Sequence, residues 1–109
     1  MNTAVLAIDI GASSGRHMLG QIEDGKLTLK EIYRFPNGAE KKNGHLCWNH
    51  RALWEHILAG MKKCAELGIN PASVGVDTWG VDYVLVDENG RMLSDGIAYR
   101  DDRTQTVLD

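Results

Sequence analysis

Short apolar runs separated by turn residues occupy the first third of the chain. Residues 5–10 form an apolar run interrupted only by Asp9, and such a run is typical of a strand buried on both faces. The β-like segment 16–23 follows, and Asp24-Gly25 is a dipeptide that favours a tight hairpin. Residues 27–35 mostly alternate apolar with polar side chains, which predicts a third strand with one face inward and one face in water.

In the middle of the chain, a polar stretch is followed by apolar residues at helical spacing. Residues 39–44 are polar and charged and are expected to form a surface loop, followed by a brief extended piece at 45–48. Asn49 is a good N-cap for a helix over about residues 50–67, and Gly68 stands where a helix stops. The apolar stripe of this helix comprises Leu53, Ile57, Leu58, Met61, Cys64 and Ala65, and Trp54 broadens it.

A second apolar run that ends near an acid lies at residues 74–79 and predicts the next strand. Residues 83–86 and 97–99 are expected to form two further strands, and Thr104 is expected to cap a final helix. Three hairpin strands, a helix and a strand give the order βββαβ, in which the fourth strand is parallel to the first. The carboxyl ends of both strands then open on one edge of the sheet, where ligands of open α/β sheets bind.

The turn after the first run carries the candidate chemistry. Gly11 and Gly15 allow the backbone to come close to a ligand, while the amides between them and the hydroxyls of Ser13 and Ser14 can donate to phosphate oxygens. These residue types in this order indicate a turn that binds phosphate groups.

Two charged residues flank this turn. Asp9 suits the hydration shell of a Mg²⁺ ion, and Arg16 adds a fixed positive charge at the rim. The stretch is neither a Walker loop nor a dinucleotide fingerprint, because the Lys-Ser/Thr ending is missing and the residues after Gly15 are β-like. A hairpin whose small residues serve only the turn is the structural alternative.

Three motifs together point to a family. The motif Asp9-x-Gly11-x-x-x-x-Arg16 resembles the first phosphate motif of the actin, hexokinase and sugar-kinase superfamily, and of the FGGY carbohydrate kinases in particular. The stretches GVDTWGVDY at 75–83 and AYRDDRT at 98–104 resemble the N-terminal part of the FGGY kinases that act on L-rhamnulose. The resemblance implies an α/β fold, a ribonuclease H-like (actin/hexokinase-type ATPase) half-domain with a mixed sheet in βββαβ order. Residues 1–109 would be the N-terminal part of the FGGY kinase N-terminal domain, with the C-terminal domain absent.

The same resemblance implies a site for two substrates, ATP and a sugar. It assigns to the ATP phosphates Gly11, Ala12, Ser13, Ser14, Gly15 and Arg16, and to Mg²⁺, through water, Asp9. It assigns to the sugar Gly80, Thr78, Trp79 and Asp82, with Tyr99 and Arg100 near the pocket wall. An aromatic face covers the apolar patch of a sugar, a carboxylate accepts its hydroxyls, and a glycine permits close approach of the backbone.

The implied reaction is transfer of the ATP γ-phosphoryl group to a ketose, with L-rhamnulose and its 1-phosphate as the first substrate and product. No residue of this chain is assigned as the catalytic base, because family members supply it from a second ribonuclease H-like domain. The 109-residue piece is therefore expected to be inactive alone and to need the remainder of the kinase chain. Ala12 stands where many sugar kinases carry Thr, and it suits the kinases for L-rhamnulose.

The net charge and the apolar content limit the kinds of partner and the cellular location expected for this chain. A net charge of −3 gives no electrostatic case for nucleic acid or an anionic membrane as a partner. The chain contains no long apolar segment and no basic-then-apolar leader, so a cytoplasmic location is expected. Its partners would be the sugar, ATP and the rest of the kinase.

Three alternatives stay open on the residues alone. The enzyme could act on another sugar such as L-fuculose, or the chain could be a noncatalytic module that binds nucleotide or sugar. Thirdly, the motifs could be structural, with Trp79 packed in the core, Asp82 serving a turn, and residues 100–103 forming a salt-bridged loop.

Overall fold

Six strands, one α-helix and one short 3-10 helix follow each other along residues 3–105, the part of the chain that the computed structural model describes. The elements are β1 Thr3–Ile10, β2 Ser14–Glu23, β3 Lys26–Pro36, β4 Glu40–Lys42, β5 His45–Cys47, α1 His50–Glu66, β6 Ser73–Thr78 and the 3-10 helix Asp102–Thr104. The predicted order of three hairpin strands, a helix and a strand is confirmed, with β4 and β5 added between β3 and α1.

The main sheet has the strand order β3-β2-β1-β6. Its first three strands are antiparallel neighbours, and β6 is parallel to β1 after the crossover through α1. Asp9 is paired with Arg16 on β2 and with Asp77 on β6, and Ile10 is paired with Thr78. The carboxyl ends of β1 and β6 therefore lie side by side at one edge, as predicted.

Two hairpin turns use the same backbone geometry. Asp24 and Gly25, which join β2 to β3, have φ angles of 52° and 76°, and this is the left-handed pair that a two-residue hairpin needs. Asn43 and Gly44 repeat the geometry with φ angles of 53° and 81°, and they join β4 to β5. The prediction of a loop over 39–44 is thus wrong in part, because the Asn-Gly signal turns the polar stretch into a hairpin.

Helix α1 begins and ends where the sequence predicts. The side chain of Asn49 accepts a hydrogen bond from the Ala52 amide at 3.0 Å, which satisfies one of the free donors of the first turn. At the other end Gly68 has a φ of 74°, and its amide donates to the Ala65 carbonyl at 2.9 Å. Within residues 3–105 no helix has the length and apolar character that crossing a bilayer requires.

The core lies between α1 and one face of the sheet. Its buried members are Leu6, Ile8, Ile10 and Phe35, with Leu53 and Ile57 of α1 packed against them. The prediction that β1 is buried on both faces is wrong for this part of the chain, because Val5, on the other face, is 37% exposed. Among the described elements only α1 packs on the sheet, so burial alternates along β1.

The inward face of β3 is limited to its second half. Leu27 and Leu29 are 63% and 64% exposed, whereas Phe35 is 1% exposed, so the predicted inward face is wrong for the first half of the strand. A bulge opposite His17 and Met18 leaves Ile32 as the extra residue of the ladder. The bulge separates the two halves of β3. Residues 26–31 are exposed, whereas Ile32, Tyr33 and Phe35 lie in the core or pack against it.

The predicted strands at 83–86 and 97–99 are not strands in the structure. Single bridges join Val86 to Met92 and Cys47 to Ile97, and no ladder follows them within the described residues. Residues 87–91 form a tight antiparallel turn, in which the Asp87 carboxylate accepts from two nearby amides and the Asp87 amide donates to the Arg91 carbonyl at 2.8 Å. At the end of the chain Asp101, not Thr104, caps a 3-10 helix, and the rest of the predicted final helix lies outside the described residues.

Candidate functional site

The turn between β1 and β2 is held from two sides. The Gly11 amide donates to the Ser14 carbonyl at 2.9 Å, which closes the turn on itself. Asn37, directly after β3, then donates from its backbone amide to the Ser13 carbonyl at 3.0 Å and from its side chain to the Gly11 carbonyl at 2.9 Å. Residues 9–16 form what we call the phosphate hairpin, and Asn37 fixes its tip.

The tip of the phosphate hairpin presents unused donors. The amides of Ala12 and Ser13 donate to no acceptor in residues 3–105, and Ser13 is exposed. The Ser14 hydroxyl, in contrast, accepts a hydrogen bond from the Arg16 guanidinium at 2.9 Å. Two backbone donors and one free hydroxyl at a rigid turn are the equipment that binds phosphate oxygens.

The two glycines of the hairpin serve different purposes. A Cβ on Gly11 would lie 2.9 Å from the Ser14 carbonyl oxygen, so Gly11 is needed for the tight turn. A Cβ on Gly15 would lie 2.1 Å from the buried ring of Phe35. Close packing against the core therefore explains the glycine at this position, and the approach of a ligand to its backbone stays a prediction.

Arg16 and Asp9, the charged residues of the hairpin, form an ion pair with each other. Arg16 donates to the Asp9 carboxylate at 2.6 Å, on the sheet face opposite α1. The charge of Arg16 is thus held in place by Asp9, and Asp9, whose side chain is 49% exposed, keeps its second oxygen without a partner in the described chain. No group of three or more metal-binding side chains occurs in residues 3–105.

Strand β6 joins the phosphate hairpin to a second site. The Thr78 hydroxyl donates to the Ile10 carbonyl at 3.0 Å, one residue before Gly11. Because Ile10 ends β1 and Thr78 ends β6, this bond ties together the loops that leave the two parallel strands.

A cavity of about 380 Å³ lies between α1 and the loop after β6. We call it the tryptophan pocket, because all three tryptophans of the chain line it. Its principal side chains are Trp48, Trp54, Trp79, Leu53, Ile57 and Asp82. The walls are mostly apolar, and Asp82 is the acidic group among them.

Asp82 has a defined orientation in this pocket. One of its oxygens, Oδ2, accepts hydrogen bonds from the indole N–H of Trp48 at 2.5 Å and of Trp79 at 2.7 Å. The two indole rings are 4.3 Å apart at an angle of 44°. An aromatic wall beside an oriented carboxylate is an arrangement that binds sugars.

Known proteins share both the sequence and the fold. Residues 4–109 match the family model of the N-terminal domain of the FGGY family of carbohydrate kinases. A rhamnulokinase from Ligilactobacillus salivarius is 54% identical over 96% of this chain and 22% of its own length. A rhamnulokinase from Halalkalibacterium halodurans is 51% identical over 95% of this chain and 22% of its own length.

The chain belongs to the FGGY family of carbohydrate kinases. A gluconate kinase from Lactobacillus acidophilus has the same fold, with a TM-score of 0.79 over 99% of this chain and 22% of that one at 12% identity. The ribonuclease H-like α/β fold is confirmed by this likeness. The chain spans about a fifth of the length of the curated relatives that it matches, 22% of each of these two.

The sugar residues implied by the FGGY motifs are only partly brought together. Thr78, Trp79 and Asp82 line the tryptophan pocket, whereas Gly80 is exposed beside it with no atom within 4 Å of an added Cβ. Tyr99 and Arg100, which are predicted near the pocket wall, are not among the residues that line this cavity. The Arg100 guanidinium lies 5.5 Å from the centre of the Tyr99 ring, so the two contact each other.

Sequence reasoning misses Trp48 and Asn37. Trp48 precedes the N-cap Asn49 and lies next to Leu53, and an apolar pair at these positions is the signature of a hydrophobic staple. This signal could have placed Trp48 at the start of α1, although not its bond to Asp82, which lies 34 residues further along the chain. The turn-forming residues around Asn37 predict that the strand ends there, but they do not predict the contacts that Asn37 makes.

Asp101 is a buried acid that holds the segment before Trp48 in place. The Asp101 carboxylate, whose side chain is 2% exposed, accepts from the Leu46 amide at 2.7 Å and from His45 at 3.1 Å. The hydrogen bond from the Leu46 amide, more than any other contact, holds the pKa of Asp101 below its usual value. Because Leu46 is two residues before Trp48, Asp101 fixes the segment that carries the indole.

A buried histidine supports the hairpin. His17 is 0% exposed on β2, its Nε2–H donates to the Ile57 carbonyl at 3.1 Å, and its Nδ1 has no partner in the described residues. A Cβ on Gly60 would lie 2.2 Å from the ring, which shows how closely α1 approaches the strand. Burial lowers the pKa of His17, so the neutral ring is the form that packs here.

Proposed function

We propose that this chain supplies the ATP-phosphate hairpin and part of the sugar site of a kinase that phosphorylates a ketose. L-rhamnulose is the first candidate, with L-rhamnulose 1-phosphate as its product. The observation that carries the proposal is the bond between Thr78 and Ile10, which brings a phosphate-binding turn and an aromatic pocket to one edge of the sheet. Relatives named rhamnulokinase at 54% and 51% identity support the choice of sugar.

The phosphate hairpin would hold the ATP phosphates with hydrogen-bond donors at its tip and with the positive charge of Arg16. The unused amides of Ala12 and Ser13 and the Ser13 hydroxyl would contact phosphate oxygens. Arg16, held by Asp9 and Ser14, would stabilise the negative charge from a fixed position. Phosphoryl transfer depends on positioning and charge stabilisation, which is what a rigid turn with preorganised donors provides.

Asp9 would hold Mg²⁺ through water. Its Oδ2 is occupied by Arg16, and its other oxygen is left to accept from a water of the hydration shell, which fits an ion that keeps several waters. When bound, the ion neutralises phosphate charge at the reacting end of ATP.

The sugar would bind at the tryptophan pocket. Trp79 would cover its apolar face, Asp82 would accept its hydroxyls, and Thr78 would contact it from the end of β6. Gly80, which has open space on its outer side, would let the sugar approach the backbone. Tyr99 and Arg100 receive no contact in this arrangement, because they lie outside the pocket lining.

The catalytic base would come from the remainder of the kinase. The three carboxylates near the site all have structural partners here: Asp9 accepts from Arg16, Asp77 from the Thr78 amide, and Asp82 from two indoles. In this proposal residues 1–109 are the N-terminal part of the kinase's N-terminal domain. The purified 109-residue chain would then release no ADP from Mg-ATP in the presence of L-rhamnulose, and sugar-dependent release by it would overturn this division.

The proposal is tested with a sugar panel. ADP release is followed in a coupled assay with the complete protein that contains this chain, using L-rhamnulose, L-fuculose and other ketoses and polyols in turn. Preferred turnover of L-rhamnulose is the expected result. Preference for another sugar would overturn the substrate, and nucleotide binding without turnover of any sugar would favour a noncatalytic binding module.

A further inference from the structure

The carboxylate of Asp82 is held on one side only. Its Oδ2 accepts both indole N–H groups, from Trp48 at 2.5 Å and Trp79 at 2.7 Å. Two donors on one oxygen fix the plane of the carboxylate and use the lone pairs on that side. The direction of the other oxygen follows from this arrangement.

The second oxygen, Oδ1, is left for a ligand. It accepts from no donor among residues 3–105, although Asp82 belongs to the lining of the 380 Å³ pocket. A carboxylate oxygen can accept two hydrogen bonds and donates none when ionised. The free oxygen therefore suits hydroxyl groups of a polyhydroxy compound and has no attraction for an anion.

Trp48 is anchored by backbone contacts in addition to its bond to Asp82. It is 4% exposed, and its backbone amide donates to the Gly96 carbonyl at 2.9 Å. Two residues earlier, the Leu46 carbonyl accepts from the Ala98 amide at 2.7 Å. These contacts fix the backbone that carries the indole, so the indole can position the acid.

The loop that carries Asp82 has a strained backbone. Val81 has a φ of 70°, in the left-handed region that a β-branched residue avoids, and its side chain points outward with 84% exposure. Such a conformation persists only where neighbouring contacts hold it. The two indole bonds to Asp82 are contacts of this kind, since they fix the residue that directly follows.

We propose that Trp48 is a positioning residue for sugar recognition: its indole N–H holds Asp82 so that Oδ1 accepts hydroxyl groups of the ketose. The inference rests on the proposed function, because it gives Asp82 a sugar to recognise. Trp48 acts through Asp82, and none of its hydrogen bonds within residues 3–105 goes to the phosphate hairpin.

Trp48→Phe in the complete protein tests this, because it keeps an aromatic ring and removes the N–H donor. We expect the KM for the ketose to rise about tenfold to a hundredfold, as for loss of a hydrogen bond to a charged acceptor. The KM for ATP and kcat are expected to change less than about threefold, because the hairpin is untouched. Trp54→Phe removes an indole N–H from the same pocket without a bond to Asp82, and it is expected to raise the KM for the sugar less.

A double-mutant cycle with Asp82→Ala, which removes the acceptor of both indole N–H groups, separates positioning from packing. If Trp48 acts through Asp82, adding Trp48→Phe to Asp82→Ala raises the KM for the sugar by less than threefold beyond the single variant. If Trp48→Phe lowers the melting temperature strongly, Trp79→Phe replaces it, since that change removes the other donor from Asp82.

The possible outcomes have different meanings. Additive effects in the cycle, or an unchanged KM for the sugar in both indole variants of an active kinase, overturn the positioning role alone. A wild-type protein that turns over no ketose overturns the proposed function, and this inference with it.

Discussion

The phosphate hairpin and the tryptophan pocket are neighbours at the carboxyl ends of β1 and β6, but they are assembled differently. The hairpin is one continuous stretch, residues 9–16, braced by Asn37. The pocket combines side chains from before α1, from α1 itself and from the loop after β6. One stretch of sequence supplies the hairpin, with Asn37 as a contact from outside it, whereas the pocket exists only when distant segments meet.

The difference extends to packing beneath each site. Gly15 in the hairpin rests on Phe35, whose ring stacks on His56 at 4.4 Å, so this region is filled from below. Gly80 beside the pocket has no atom within 4 Å of an added Cβ. The same substitution at the two glycines should therefore separate stability from binding.

Gly15→Ala is expected to have the largest effect. The added Cβ would lie 2.1 Å from Phe35, which is 1% exposed, so the core must shift, and we expect a loss of about 3 kcal/mol in the free energy of unfolding. Urea denaturation of the complete protein measures it. Gly80→Ala is the matched control and should change stability by less than about 0.5 kcal/mol. Equal midpoints for the two variants would remove the distinction between a filled and an open site.

Arg16→Ala is expected to weaken ATP binding by about tenfold, because it removes the fixed positive charge that would stabilise the phosphates. The dissociation constant of ATP, measured by calorimetry on the complete protein, gives the size of the effect. Arg34→Ala is the matched control, since Arg34 pairs with Arg16 across the β2–β3 ladder but bonds to Glu31. An equal loss in both variants would mean that general charge, and not the hairpin, attracts ATP.

Gly80→Ala is expected to weaken sugar binding by about tenfold and to leave ATP binding unchanged, because a methyl group would occupy the space through which the sugar approaches. Calorimetric titration with L-rhamnulose measures this. Gly75→Ala on β6 provides the control, as it also has open space around an added Cβ. If Gly75→Ala weakens sugar binding as much, the contact does not lie at Gly80.

Lowering the pH should reduce the stability contributed by His17, next to the hairpin, and by Asp101, next to the pocket, in different pH ranges. The folded pKa of His17 is lowered from 6.5, so the unfolded chain binds more protons and stability falls as the pH drops below about 6.5. The folded pKa of Asp101 is lowered from 3.8, so its stabilisation is present above that value and is lost only as the pH falls further. Each proton changes stability by at most about 1.4 kcal/mol per pH unit, the smallest of these effects.

Urea midpoints between pH 8 and pH 3 measure these two ranges. His17→Gln should flatten the upper part of the profile, and Asp101→Asn should flatten only the lower part. A profile that neither variant changes would show that other groups control acid stability.

The regular elements were largely predictable from sequence for a physical reason. Hairpin dipeptides, the Asn49 cap and the Gly68 stop act through their own backbone, so the sequence carries the signal locally. Burial was less predictable, as Val5 and Leu27 show, because exposure depends on what covers a face. The apolar stretches near residues 83 and 97 form single bridges and not strands, so an apolar run does not by itself predict a ladder.

The candidate site divides in the same way. The donors of the hairpin follow from its glycines and serines, while the pairing of Arg16 with Asp9 follows from strand register, which the turn motif alone does not reveal. In the pocket, Trp79 and Asp82 were predicted from their motif, but Trp48 was missed because its partner is 34 residues away. For Tyr99 and Arg100 the family motif predicts a place near the pocket wall, whereas neither lines the cavity and the two contact each other.

The most direct test of the division between a nucleotide region and a sugar region is a two-substrate kinetic measurement on the complete protein. The KM for ATP and the KM for L-rhamnulose are determined from ADP release for wild type, Arg16→Ala and Gly80→Ala. The account predicts that Arg16→Ala raises only the KM for ATP and that Gly80→Ala raises only the KM for the sugar. If either variant raises both constants by the same factor, or if the two effects are exchanged, the assignment of the two regions is contradicted.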